Sequence, residues 1–407
     1  MAHRDETRLN RLVTTHEKWR ARTALNMLAS ENITSDKVQR YLSSDLGRRY
    51  TLPLKQDLHG ETADNGYAGT RYTDEVEDLA SKAAARLLGA RYANVRPLSG
   101  HIAAMTVISA LLPKGSRYMA VFPEDGGYDG YAPGYLPAVL GHEVLKLPLH
   151  GPTHRMDADE VVSIIRKERP DAVILGQSFV LFPYPVKPVA EAVHSAGGLL
   201  LYDASHIMGL VMGGKFQDPV GDGVDVVYGS THKSLFGPQG GLLATSDKAL
   251  FDRIDKEMTW RTVDNAHWNR IAGLGQALLE MERVGPKYAE GVIGNSQALA
   301  KALDEEGIPV LGRDEGYTQS HQVFFDGPGL RSKYGLGIPS FARKLESQDI
   351  IIDLVGRIGT AEVTRLGLGK KEMRTCASLI RRAVFKGEDV RSEVHALRSR
   401  FRSIRFR

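Results

Sequence analysis

The chain has 407 residues, 42% of them hydrophobic, and a formal net charge of +4. That is enough apolar mass for two cored domains, and the charge is too small to argue for a nucleic-acid partner. The single cysteine, Cys376, excludes an intrachain disulfide framework and points to a cytoplasmic setting. No apolar run approaches a membrane span, and the polar start from Met1 to Asn10 does not read as a signal peptide.

Residues 1–55 read as an N-terminal helix and an irregular arm. From Tyr72 to Leu88 the pattern is helical, with Val76, Leu79, Ala80, Ala83 and Leu87 on one face. Apolar runs at Tyr118–Phe122, Ala172–Leu175, Gly198–Tyr202 and Val224–Tyr228 then alternate with helical stretches at His101–Leu112, Ala158–Lys167 and Val186–Ala196. Such alternation predicts an α/β fold with a mostly parallel sheet, which binds ligands at the carboxyl ends of its strands. The large domain is expected over 56–285. A long helix over Gly285–Glu306 opens a smaller C-terminal α/β domain over 286–407. The arginines at 398, 400, 402, 405 and 407 suit either a nucleic-acid arm or a docked terminal segment with solvated arginines, and the absence of aromatic-basic motifs favours docking.

Several strand ends carry candidate chemistry. Ser99-Gly100-His101 opens an apolar helix, where a hydroxyl and free N–H groups suit a phosphate or form a plain cap. Tyr128 follows Tyr118–Phe122 and is either a stacker for a flat ring or a half-buried turn tyrosine. Asp203 ends a buried strand, where a carboxylate needs a cation, such as a protonated pyridine nitrogen, unless it caps the next helix. His206 is placed to contact a ring oxygen or the substrate. Lys233 lies between an apolar run and the turn Gly237-Pro238-Gln239-Gly240-Gly241. There it is either a surface lysine or a Schiff-base lysine for pyridoxal 5′-phosphate (PLP). The order of phosphate site, ring stacker, Asp-x-x-His and lysine favours the cofactor. No metal site is expected.

From about Leu25 to Arg365 the chain resembles the serine hydroxymethyltransferases, which are fold-type I PLP enzymes. The resemblance rests on Leu28-Ala29-Ser30-Glu31-Asn32, Tyr92-Ala93-Asn94-Val95, Ser99-Gly100, Asp203-x-x-His206-x-x-Gly209-Leu210-Val211, Thr231-His232-Lys233, the Gly237–Gly241 turn and Gly356-Arg357-Ile358-Gly359-Thr360. It implies an aspartate aminotransferase-like large domain with a seven-stranded sheet. It implies that Lys233 holds PLP, Asp203 pairs with the pyridine nitrogen, and His206 helps hold cofactor and substrate. Ser99 and Gly100 would bind phosphate, with His101, Ser178 and Ser230 as further cofactor contacts. His232 would adjoin the Schiff base. Arg357 would clamp the carboxylate of an amino-acid substrate. Ser30 and Tyr50 would complete the site, Tyr50 from a partner subunit, in a homodimer or tetramer with the site at the interface.

The departures from that family bear on the reaction. The family's glutamate two residues after the tyrosine is Leu52, which cannot transfer a proton; His59 and Glu61 have a different spacing. Gly69-Thr70-Arg71-Tyr72-Thr73 lacks the usual paired tyrosines and glycines. Tyr128, His101 and Gln239 stand where a histidine, a serine and an arginine are usual. Thr259–Asn265 replaces a Gly/Pro-rich stretch. Ile350–Val355 runs almost straight into Arg357 without the loop that lines the pterin pocket. Tetrahydrofolate is therefore not expected. The expected chemistry is at Cα, through an external aldimine and quinonoid. The favoured outcome is O2-dependent oxidative decarboxylation of a glycyl-nucleoside to a carboxamide, as in capuramycin-type antibiotic biosynthesis, with molecular oxygen as co-substrate. The alternatives are a threonine aldolase or transaldolase, a true serine hydroxymethyltransferase, and a non-catalytic PLP-binding protein. Trp260, His267, Trp268 and Arg270 form either a region open to a larger flat substrate or ordinary packing.

Overall fold

The computed structural model describes residues 2–52, 59–63 and 65–407. The chain divides into two compact units, one of Asn32–Ala289 and one of Met1–Glu31 with Glu290–Phe406. The first 31 residues thus belong with the C-terminal part. The expected boundary at 55/56 lies outside the described residues. That at 285/286 falls inside a helix, Trp268–Glu305, which starts well before the expected Gly285 and contains Pro286.

In the larger unit seven strands form one sheet. They are β1 (Tyr92–Asn94), β2 (Arg117–Ala120), β3 (Glu143–Lys146), β4 (Ala172–Leu175), β5 (Leu199–Asp203), β6 (Val226–Ser230) and β7 (Gly241–Thr245). Their order is β1-β7-β6-β5-β4-β2-β3. All neighbouring pairs are parallel except those of β7, which runs antiparallel to both β6 and β1. The sheet is mostly parallel because each parallel step returns through a crossover. Helices Ala158–Glu168 and Val186–Ser195 supply two of these returns.

Strand periodicity sorts the side chains. Tyr118, Ala120, Ala172, Ile174, Leu201, Val226, Tyr228 and Leu243 share one face and are buried against Ala103, Val107, Ile108 and Leu111 of helix Gly100–Leu111. Asp203 has the parity of Leu201 and is the register partner of Tyr228, so the carboxylate emerges on that same helix-covered face. Helix Arg71–Leu88 buries Thr73, Ala80, Ala83, Ala84, Ala85 and Leu88. Leu79 is 62% exposed, against expectation, because the buried stripe is centred on the alanines one position on.

The smaller unit holds two short sheets. Leu25–Asn26 pairs in parallel with Ile350–Ile351, and Arg357–Gly359 pairs antiparallel with Gln322–Phe324. Its chain end is docked: Arg405 N–H donates to the Arg365 carbonyl, and the Arg365 guanidinium donates to the Phe406 carbonyl. Arg398 is 3% exposed and donates to the Ala21 and Phe401 carbonyls, so this arginine is not the solvated one expected. No helix among the described residues is long and apolar enough to cross a membrane.

Candidate active site

The strand ends of the larger unit converge on one cavity of about 220 Å³. Ser99, Gly100, His101, Tyr128, Ser178, Asp203, His206, Ser230, His232 and Lys233 all line it. They arrive from five places: the N-terminus of helix Gly100–Leu111, the turn beyond β2, and the ends of β4, β5 and β6. Their convergence follows from parallel strands ending on the same side of the sheet.

Ser99 caps the helix, its Oγ accepting from the Ile102 N–H at 3.1 Å, and also borders the cavity. A Cβ on Gly100 would stand 2.3 Å from Ser230 Oγ and 2.9 Å from Ser230 N. Only glycine lets this helix end approach β6 so closely. Lys233 Nζ lies 3.2 Å from His206 Nε2, and His206 is buried. The lysine backbone is anchored by Asn32, whose Nδ2 donates to the Lys233 carbonyl at 2.8 Å and lies 2.8 Å from Tyr288 Oη. Ser234 Oγ accepts from Gly209 N–H, and Thr231 Oγ1 donates to the Pro238 carbonyl, so the lysine loop is held from both sides.

Asp203 does not cap a helix. Its Oδ1 accepts from Ser205 N–H at 2.9 Å and its Oδ2 from Tyr131 Oη at 2.7 Å. Tyr128 is half-buried, with its hydroxyl 2.9 Å from His101 Nδ1. Burial raises the Tyr128 phenol above its ordinary range, with the Asp203 charge adding to it, so the ring stays neutral.

The donor set fits PLP. An amine, a carboxylate, an aromatic ring and a serine-capped helix N-terminus answer its aldehyde, ring nitrogen, flat face and phosphate. Gln177 gives an independent sign: its Nε2 is buried beside the cavity without a hydrogen-bond partner among the described residues, a donor suited to an acceptor on a bound group.

Three expected residues lie elsewhere. Tyr50 does not line the cavity; it is 42% exposed, and its hydroxyl donates to Asp264 Oδ2 at 3.3 Å. Ser30 and Arg357 belong to the smaller unit. There Asp353 Oδ1 accepts the N–H groups of Val355, Gly356 and Arg357 at 3.1, 2.9 and 2.8 Å, and its Oδ2 accepts Arg357 Nε at 2.6 Å. This carboxylate-bound turn orients the guanidinium. Of the region thought open to a flat substrate, Trp260 and His267 are exposed. Trp268 and Arg270 are buried, because Arg270 donates to the Val95 carbonyl and the indole packs beneath the surface.

Sequence reading passed over Asn32, Gln177, Ser205, Tyr131 and Tyr228. Asn32 and Ser205 lie inside motifs read for other residues; the partner of Asn32 is distant in sequence, while Ser205 binds Asp203 two positions away. Gln177 had a usable signal, being a polar residue just past an all-apolar strand.

Fold and site together define a fold-type I PLP-dependent enzyme. The serine hydroxymethyltransferase family model matches residues 3–333. The serine hydroxymethyltransferases of Korarchaeum cryptofilum and Methanopyrus kandleri are each 37% identical to the chain, covering 96% and 97% of it and 94% of their own lengths. The L-threonine transaldolase of Pseudomonas fluorescens has a similar structure, with a TM-score of 0.86 and 25% identity over 98% of this chain and 94% of that one. The chain belongs to the serine hydroxymethyltransferase family.

Proposed function

We propose that the protein is a folate-independent, PLP-dependent enzyme of the transaldolase type. It would move the glycyl unit of a β-hydroxy-α-amino acid from one aldehyde to another. The carrying observation is Leu52, an apolar side chain where the family places its proton-handling glutamate, in a chain that aligns along 98% of its length with a threonine transaldolase. PLP, when bound, supplies the electron sink that lets a bond at Cα break.

The protein's own groups do the rest. Lys233 supplies the amine that holds the cofactor, and His206 beside it restrains that amine. Asp203 faces the ring nitrogen, and Ser99 with the helix N-terminus takes the phosphate. Arg357, oriented by Asp353, takes the substrate carboxylate. Leu52 moves no proton, so the side chains lining the cavity that remain to take one from the β-hydroxyl are His101, His206 and His232. Tyr50, exposed and outside its own cavity, would serve that of a partner subunit in a homodimer or tetramer. The single cysteine, Cys376, is free and buried, which supports a reducing, cytoplasmic setting.

A second reading retains the oxidative outcome. With no carboxylate at position 52, a carbanion at Cα that escapes protonation meets O2. An amino acid then gives a carboxamide, CO2 and water, on a substrate such as a glycyl-nucleoside.

Purified protein loaded with PLP, given L-threonine and an aromatic aldehyde without folate, should release acetaldehyde and form the new β-hydroxy amino acid with no oxygen uptake. Oxygen consumption with CO2 release from a glycyl-nucleoside would replace this reading by the second. Serine–glycine exchange dependent on tetrahydrofolate would overturn both.

A further inference from the structure

Behind Asp203 stand two tyrosines that the proposed reaction does not use. Tyr131 and Tyr228 are both 0% exposed. Tyr131 Oη donates to Asp203 Oδ2 at 2.7 Å and lies 2.8 Å from Tyr228 Oη. Each phenol has one proton. That of Tyr131 is committed to the carboxylate, so Tyr228 must donate to Tyr131. The hydroxyls form a one-way chain, Tyr228 to Tyr131 to Asp203. Tyr228 and Asp203 are direct register partners on β6 and β5, so the sheet itself sets the spacing. Burial raises both phenols well above their ordinary range, with the Asp203 charge adding to it, so neither gives up its proton near neutral pH.

We infer that Tyr131, backed by Tyr228, is a positioning residue that fixes the Asp203 carboxylate and sets how strongly it competes for the cofactor's ring proton. This rests on the PLP reading above. The geometry supports it in two ways. Ser205 N–H and Tyr131 Oη take one lone pair on each carboxylate oxygen, which leaves a single defined orientation for the remaining acceptor sites. Donors on a carboxylate also disperse its charge and lower its affinity for a proton. The proton then stays on the ring nitrogen, where it makes the ring an electron sink. A second hydroxyl donating to the first polarises it and strengthens the effect.

The test is PLP labelled with ¹⁵N in the ring, bound to wild type, Tyr131→Phe, Tyr228→Phe and the double variant. Nitrogen resonance and PLP dissociation constant are read for each. Tyr131→Phe should move the resonance downfield, toward unprotonated pyridine, and weaken PLP binding about tenfold, the scale of one hydrogen bond to a charged group. Tyr228→Phe should shift both the same way by less, about threefold in affinity. The double variant should match Tyr131→Phe, because Tyr228 acts only through Tyr131. An unmoved resonance in Tyr131→Phe, or a full additional effect of Tyr228→Phe on that background, would overturn the inference. Should Tyr131→Phe fail to fold, the resonance in Tyr228→Phe decides alone: a downfield move supports the chain and an unmoved line refutes it. Failure of the wild type to bind PLP would instead refute the functional reading.

Discussion

At the scale of single residues, Asp353 has the clearest consequence. Its carboxylate accepts three backbone N–H groups and the Nε of Arg357, a combination that leaves little freedom to the guanidinium. If Arg357 takes the substrate carboxylate, Asp353→Ala should raise KM for the amino acid about tenfold, with a smaller change in kcat, since the lost interaction orients binding more than chemistry. Steady-state kinetics at saturating PLP would check this, and an equal fall in kcat and kcat/KM would argue against it. Arg357 was legible in the sequence as part of Gly-Arg-Ile-Gly-Thr. Asp353 was not, because an aspartate four residues before an arginine reads as any exposed pair until the turn brings both its oxygens inward.

At the scale of elements, helix Gly100–Leu111 carries two duties at its first turn. Ser99 caps it, and the same end borders the cavity. Ser99→Ala should therefore cost about 1 kcal/mol of stability through the lost cap. It should also weaken PLP binding, since the phosphate loses a donor. Denaturant unfolding of the apoprotein and a PLP titration separate the two effects, and an unchanged PLP affinity would remove Ser99 from the phosphate site. The strands and helices of the large sheet were readable because their apolar runs are short and their helical stripes periodic. Helix Trp268–Glu305 was underestimated because Gly285-Pro286 reads as a break. The helix continues through Pro286, and within the larger unit Gly213 packs against it so closely that a Cβ there would stand 2.7 Å from the Gly285 carbonyl.

At the scale of the whole molecule, two expectations concern assembly and pH. If Tyr50 serves a partner's cavity, Lys233→Ala and Tyr50→Phe are each inactive alone. Mixed and reassembled, they should recover up to about a quarter of wild-type activity, since random pairing makes half of the dimers mixed and each mixed dimer holds one intact site. No recovery after verified subunit exchange would place Tyr50 in its own subunit's chemistry or outside it. The pH expectation comes from Glu362, which accepts from Asn26 Nδ2 at 2.6 Å near Glu31, Arg20 and Arg398. Burial raises its carboxyl to about 7, opposed by the Asn26 hydrogen bond and reinforced by the Glu31 charge. The folded state thus holds a proton that the unfolded chain releases near the ordinary carboxylate value. Its contribution to stability is full below that value and is lost as pH rises through about 7. Thermal midpoints should fall over this window, and Glu362→Gln should flatten the fall; a variant with the wild-type slope would exclude Glu362 as its source. The sequence by itself determined the α/β class and singled out the lysine, aspartate and serine that line one cavity, because periodicity and local motifs are properties of neighbours along the chain. Only the tertiary structure decided that Asn32 holds the lysine loop, that Tyr131 and Tyr228 stand behind Asp203, and that Asp353 binds Arg357. Except for that last turn, these are hydrogen bonds between residues tens to hundreds of positions apart, and it is the sheet register and the folded loops that bring them within 3 Å.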